Sequence, residues 1–126
     1  MLYDTNWNRK KNPETDVRKT LLLDAANLIE TYGHTKYDVG NKEKGFCLMG
    51  AIMAASPNAT TVRRDDDSEY LDDCRAWNMI RPLLQDTMTK KGLSDGWSIS
   101  PIGWNNLSKT TKDEVIDLLR DTADAI

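Results

Sequence analysis

The pattern of apolar and polar positions stands out most in residues 45–57, which carry no charge. Small and large apolar side chains would occupy every side of a helix there, and Pro57 ends the run. A helix without a polar face has to be buried on all sides. We therefore expect a short central helix, with Ile52 near its middle, on which the other elements pack.

An amphipathic pattern precedes this segment. Asn12 is a suitable N-cap, Pro13 suits the first helical position, and Gly33 suits the position after the last turn. Between them, apolar side chains recur at steps of three and four, which indicates a helix with one buried face. The predicted buried stripe comprises Val17, Leu21, Leu22, Ala25, Ala26, Leu28, Ile29 and Tyr32.

The second half of the chain predicts two more helices. A third helix is expected to start at an N-capping side chain in residues 65–68 and to contain Pro82, which should kink or divide it. Its apolar face would comprise Tyr70, Leu71, Cys74, Trp77, Ile80, Leu84 and Met88. The last helix is expected to begin at Thr111, because Thr111 and Glu114 have the spacing of a capping box.

The stretches between these helices contain turn-forming residues instead. Residues 34–45 predict a loop or a hairpin, residues 59–64 a short extended piece, and residues 92–107 a long ordered loop. Residues 1–12 are polar and predict a flexible N-terminal arm. The remainder, residues 13–126, is predicted to be a single helical domain, since a chain of 126 residues holds one core comfortably.

These elements together predict a mainly α fold. We expect a compact bundle of about four helices around the short buried central helix, with a long ordered loop before the last helix. The surplus of apolar positions on the first and last helices, at Leu22, Leu23 and Ile126, would suit a homodimer.

Charge and cysteine content narrow the classes of function. The net charge of −3 argues against binding to nucleic acid or to anionic lipid, since both attract basic surfaces.

Cys47 and Cys74 are expected to be reduced thiols in a cytoplasmic protein. The longest apolar run, residues 46–55, is too short to cross a bilayer. No metal-ligand spacing is present, and we expect no metal or other cofactor.

Three segments resemble a known domain family. They contain Leu21, Ala25-Ala26 and Leu28-Ile29-Glu30; then Cys47-Leu48 with Gly50-Ala51-Ile52 and Ala54-Ala55; and then Trp104-Asn105-Asn106 with Thr110 and Glu114 to Leu119. The chain resembles an uncharacterised domain family of actinobacteria and their phages. The resemblance implies a common fold and a phage or bacterial setting, and it supplies no activity.

The chain departs from the family pattern at one motif position. The family has aspartate where this chain has Asn106. Asparagine keeps a hydrogen-bond acceptor of the same shape but has no ionisable carboxylate. A capping role survives this change, whereas a role as general acid, general base or strong metal ligand does not.

Cys47 is the strongest candidate for chemistry. It lies where the central helix should begin, and a helix N-terminus can lower the pKa of a thiol. His34 is the only imidazole in the chain and the only histidine base available to it. The opposing interpretation is that Cys47 is a small buried apolar residue, which is how free cysteine usually behaves. We favour that interpretation, because no nucleophile signature accompanies the pair.

Binding residues are the better prediction. Trp97, Ile99 and Ile102 lie in an apolar loop, and exposed side chains of this kind dominate the energy of interfaces. We therefore predict a non-catalytic protein that acts by binding another protein, either a host factor or a phage component. A cysteine-dependent hydrolase or transferase that uses Cys47 and His34 is one alternative.

Another alternative is a nucleic-acid-associated regulator. The N-terminal arm combines aromatic and basic side chains, which can stack on bases and neutralise phosphates. These residues are Tyr3, Trp7, Arg9, Lys10 and Lys11. The acidic total charge makes this alternative the weaker one.

Overall fold

The central element is α2 (Leu48–Ala55). In the computed structural model, which describes residues 13–93 and 99–126, five of its eight residues are buried. It packs against α1 (Pro13–Tyr32) on one side and α3 (Cys74–Lys90) on another. Ile52 has no exposed surface. The prediction of a short buried helix is confirmed.

The helix pair α1 and α5 (Lys112–Asp124) forms the other main contact of the core. Leu22 and Ile29 of α1 are fully buried, as are Val115 and Leu118 of α5. Two predictions about α1 are wrong at its ends, because the side chain of Val17 is 50% exposed and that of Tyr32 is 38% exposed. Leu22 belongs to the core, so it is not available for the predicted dimer surface; Leu23 is exposed and Ile126 half-buried.

Two small antiparallel ribbons lie between the helices of the first half of the fold. The strands β1 (Gly40–Asn41) and β2 (Gly45–Phe46) form a hairpin within the predicted loop, and β3 (Thr60–Arg63) pairs with β4 (Glu69–Asp72). The prediction of a mainly α fold is therefore confirmed in its coarse form, with some sheet added to it. None of the helices in the described residues is long and apolar enough to cross a membrane.

The predicted start of the third helix is wrong. Residues 65–68 form the turn between β3 and β4, where Asp66 accepts hydrogen bonds from the backbone N–H and the hydroxyl of Ser68. Short acidic side chains stabilise turns in the same way as they cap helices, so the sequence offered both outcomes. Helix α3 begins only at Cys74, with Asp73 as its N-cap, and it continues through Pro82 without division.

The predicted loop before the last helix also contains regular structure. The short helix α4 (Pro101–Asn106) begins after Ser100, whose hydroxyl accepts a hydrogen bond from the N–H of Gly103. The described residues thus hold five helices rather than about four. Thr111 and Glu114 form the predicted capping box at the start of α5.

Candidate functional site

Asn105 is a buried amide that joins three separate parts of the chain. Its side chain is only 1% exposed, and its Oδ1 accepts a hydrogen bond of 3.0 Å from the N–H of Leu48, the first residue of α2. The same oxygen lies 2.8 Å from His34 Nε2. Its Nδ2 donates to the carbonyl of Thr35 at 3.3 Å and to Asn106 Oδ1 at 3.0 Å. The amide oxygen therefore accepts two hydrogen bonds and the amide nitrogen donates two, which is the full capacity of each atom.

These contacts assign the protonation of His34. An amide oxygen has no hydrogen to donate, so His34 Nε2 carries the proton and donates it to Asn105. Burial lowers the pKa of His34, and the hydrogen bond to Asn105 opposes this effect. The neutral ring with its hydrogen on Nε2 is therefore the resting form.

Asn106 holds the backbone of a neighbouring loop. Its Oδ1 accepts a hydrogen bond of 2.9 Å from the N–H of Tyr37, in addition to the one from Asn105. Lys36 donates to the carbonyl of Leu107, which ties the same loop to the end of α4. Tyr37 has a φ of 61°, which a bulky residue rarely adopts, and its side chain is 83% exposed. The surrounding contacts thus keep a strained residue pointing into solvent.

An apolar depression of about 380 Å³ lies beside this loop. We call it the Tyr37 groove. It is lined by Tyr37, Asp38, Val39, Cys47, Met49, Ile102 and Asn106. Two residues predicted from the sequence as candidates, Cys47 and Ile102, therefore share one surface feature with the motif residue Asn106.

Cys47 has the position predicted for it and is largely enclosed. It is the N-cap of α2, its Sγ accepts a hydrogen bond of 3.2 Å from the N–H of Gly50, and the residue is 6% exposed. Burial raises the pKa of the Cys47 thiol, and the hydrogen bonds at the helix start only partly oppose this. Among the described residues, no hydrogen bond links this thiol to His34, and no cluster of His, Cys, Asp and Glu has the geometry of a metal site.

A comparison with protein families matches residues 13–125 to DUF6197, described as a family of unknown function. The chain belongs to this family. No curated protein and no solved structure matches the chain. The matched residues run from α1 to α5, so the uncharacterised domain family expected from the sequence is confirmed, without its taxonomic setting.

The other residues predicted from the sequence to be structural support the fold around the groove. Trp104 is buried, and its carbonyl accepts a hydrogen bond of 2.7 Å from the hydroxyl of Thr110, just before the capping box. Gly50 lies against the backbone of Val39. Ile99 is half-buried, whereas Trp97 lies outside the described residues.

Sequence reasoning missed the reach of the two asparagines and the role of Tyr37. Asn105 and Asn106 bond to residues 34, 35 and 37, about 70 positions earlier in the chain. A pattern of neighbouring residues in the sequence does not predict a contact over such a separation. For Tyr37 the chain offered no signal, because an aromatic residue is not a typical occupant of a positive-φ position.

The two thiols should differ in their reactivity with iodoacetamide at neutral pH in the folded protein. We expect Cys74, which is exposed, to be alkylated at least ten times faster than buried Cys47, although hydrogen bonding to Asp72 raises the pKa of Cys74 too. Mass spectrometry of digests over a time course measures both rates, and a denatured sample provides the unprotected rate. Faster alkylation of Cys47 would contradict this and would favour the cysteine-dependent alternative.

Proposed function

We propose that this DUF6197 domain acts by binding another protein through the Tyr37 groove, without chemistry of its own. The observation that carries the proposal is the state of Tyr37. An aromatic side chain that is 83% exposed is held beside an apolar depression by a backbone in an unfavourable conformation. Strain of this kind persists only where the surroundings enforce it, and it concentrates at functional positions.

The chemistry of the groove supports a protein as the ligand. Tyrosine is enriched among the residues that contribute most to interface energy, because it buries a large ring and keeps a polar tip. Val39, Met49 and Ile102 give apolar surface next to it, and methionine adapts its shape to a partner. The hydrogen bonds that the Tyr37 N–H donates to Asn106 and Lys36 donates to Leu107 fix the loop in advance, so little conformational entropy is lost on binding.

The resemblance to proteins of actinobacteria and their phages gives this proposal its setting. The partner would be a bacterial host factor or another phage protein in the cytoplasm. A second copy of this chain remains the alternative partner, and Leu23 and Ile126 are the remaining candidates for that contact.

Replacing Tyr37 by alanine should weaken partner binding at least tenfold and leave the fold intact. The expected loss follows from truncating an interface anchor, which costs about 2 kcal/mol or more. To find the partner, a photo-crosslinking phenylalanine analogue at position 37 would be irradiated in bacterial lysate, and crosslinked proteins identified by mass spectrometry. The affinity of the purified partner would then be measured for both chains by calorimetry.

Two matched variants make this experiment decisive. Tyr37→Phe keeps the ring and should retain most of the affinity, while the crosslinker at exposed Thr61, on β3, should not capture the same partner. Equal affinity of the Tyr37→Ala and unchanged chains would refute the Tyr37 groove as the binding surface. Circular dichroism would verify that each variant is folded.

The cysteine-dependent alternative keeps one point in its favour. Cys47 lines the same groove, so a ligand in the groove would meet the thiol. Against it, His34 Nε2 is engaged with Asn105, and the resting thiol has a raised pKa. The nucleic-acid alternative depends on residues 1–12, which lie outside the described part of the chain.

A further inference from the structure

A pocket between the two antiparallel ribbons lies apart from the site described above. It has a volume of about 330 Å³, and its lining residues come from α1, α2, the β1–β2 hairpin and the β3–β4 ribbon. Most of them are apolar, namely Leu28, Phe46, Ala54, Tyr70 and Leu71. We call it the ribbon pocket. Small-molecule sites are typically concave and mostly apolar spaces of about this size.

The polar lining of the ribbon pocket carries one uncompensated charge. Lys42 and Glu69 are both exposed, but the carboxylate of Glu69 is paired with Arg63 at 3.2 Å. Lys42 has no ion pair with any of the described residues, and its Nζ lies 5.4 Å from the centroid of the Tyr32 ring. The pocket therefore presents a cation beside an apolar surface, which attracts an anion with an apolar body.

Contacts around the ribbon pocket hold its walls in place. The side-chain Nδ2 of Asn41 donates a hydrogen bond of 3.0 Å to the carbonyl of Glu69, which joins the two ribbons. Arg64 forms an ion pair of 2.7 Å with Asp38, and its Cζ lies 4.8 Å from the centroid of the Tyr70 ring. Because the ribbons are fixed to each other, the pocket is preformed and a ligand orders little of the chain on binding.

The volume of the ribbon pocket sets the size of its ligand. A cavity of about 150 Å³ accommodates a benzene ring. The ribbon pocket has about twice this volume, which corresponds to two fused rings or to a chain of about ten carbon atoms. The buried ring of Phe46 and the half-buried ring of Tyr70 provide flat apolar surface for either body.

The single lysine favours a carboxylate as the charged group of the ligand. Lys42 is the only cationic side chain among the described residues that line the pocket. A phosphate group carries up to two charges and is usually held by several donors or by a bidentate arginine. A carboxylate carries one charge, which one ammonium group balances.

We propose that the ribbon pocket binds a small carboxylic acid, with its apolar body against Leu28, Phe46 and Leu71 and its carboxylate paired with Lys42. The inference goes beyond the protein binding proposed above and does not depend on it, because no residue lines both the ribbon pocket and the Tyr37 groove. A ligand in the ribbon pocket leaves the Tyr37 groove open to a partner.

Titration of the isotope-labelled chain with two carboxylic acids tests this site. Naphthoate has two fused rings and decanoate has a flexible chain, so the pair separates an aromatic from an aliphatic ligand. We expect at least one of them to bind with a Kd of about 100 μM or tighter. The largest shifts of amide signals should occur at residues 41, 42, 46, 54 and 69–71. The absence of saturable shifts with both acids, or largest shifts outside these residues, would overturn the proposal.

Removing charge from either side tests the pairing with Lys42. Naphthamide has the shape of naphthoate without its charge, and it should bind the unchanged chain at least fivefold more weakly. Lys42→Gln should weaken the binding of the acid at least fivefold and leave the affinity for naphthamide unchanged. Lys109→Gln, at another exposed position, should alter neither affinity. Equal affinity of the Lys42→Gln and unchanged chains for the acid would contradict the proposed pairing.

Filling the ribbon pocket tests its apolar part. Ala54→Leu places a larger side chain in the pocket and should weaken the binding of both naphthoate and naphthamide at least fivefold. Ala55→Leu is the matched control, because Ala55 is the next residue of α2 and does not line this pocket. Unchanged affinity in a folded Ala54→Leu chain would refute the site. If Ala54→Leu does not fold, Lys42→Gln decides, since it changes an exposed side chain.

Discussion

Replacing Asn105 by alanine is expected to lower the free energy of unfolding by about 3 kcal/mol or more. The change leaves the buried N–H of Leu48 and, at half-buried positions, the carbonyl of Thr35 and Nε2 of His34 without the partners they have now. Each buried polar group without a partner costs about 1–3 kcal/mol. Since domains of this size are stable by about 5–15 kcal/mol, such a loss is a substantial fraction of the total stability. Urea denaturation followed by circular dichroism measures the loss.

The neighbouring residue provides the control for this prediction. Asn106→Asp replaces the amide by a carboxylate of the same shape and keeps the oxygen that accepts from Tyr37 and Asn105. We expect its stability to lie within about 1 kcal/mol of the unchanged chain, because a carboxylate accepts both bonds. If Asn105→Ala unfolded at the same urea concentration as the unchanged chain, the network would not contribute as described.

Replacing Gly50 by alanine should be equally damaging, through sterics rather than polarity. A Cβ at this position would lie 1.9 Å from the carbonyl oxygen of Val39 and 2.8 Å from its carbonyl carbon. Both are backbone atoms, so the segment before β1 would have to move, and the hydrogen bond from the N–H of Cys47 to the Val39 carbonyl would be lost with it. We expect a loss of at least about 3 kcal/mol, or failure to fold. Thermal unfolding and the dispersion of amide signals measure the effect.

Gly103→Ala is the matched control, since it makes the same chemical change in another helix. Its Cβ would meet only side-chain atoms, 3.2 Å from Ser100 Oγ and 3.3 Å from Ile99 Cγ1. Alanine is also the better helix former, which offsets part of this crowding. We expect a change within about 1 kcal/mol. Equal destabilisation by the two substitutions would show that close packing on Val39 is not the cause.

Elements whose signals are local were predictable from the sequence. The capping box at Thr111 and Glu114 is formed within four residues, and the burial of α2 follows from the absence of any polar face. The stripe of α1 was right in its middle and wrong at Val17, because the described elements packed on α1 leave that side chain half exposed. The periodicity of apolar positions predicts that a helix forms, but it does not predict how much of the helix the neighbouring elements will cover.

Elements that depend on tertiary context were not predictable in the same way. The acidic residues before α3 have the composition of both a cap and a turn, and the pairing of β3 with β4 decided between them. The candidate site is a still clearer case. His34, Leu48 and Asn105 are separated by at least 14 positions, and their hydrogen bonds exist only once α4 has packed on the start of α2.

The order in which the ribosome makes this chain has a direct consequence for α1. Among the described elements, that helix is synthesised first and its main partner, α5, last. Until residues 112–124 leave the exit tunnel, the part of the buried face of α1 that packs on α5 lacks its covering. A nascent chain, or a product shortened by a late stop codon, would therefore expose an apolar helix face that chaperones and proteases recognise.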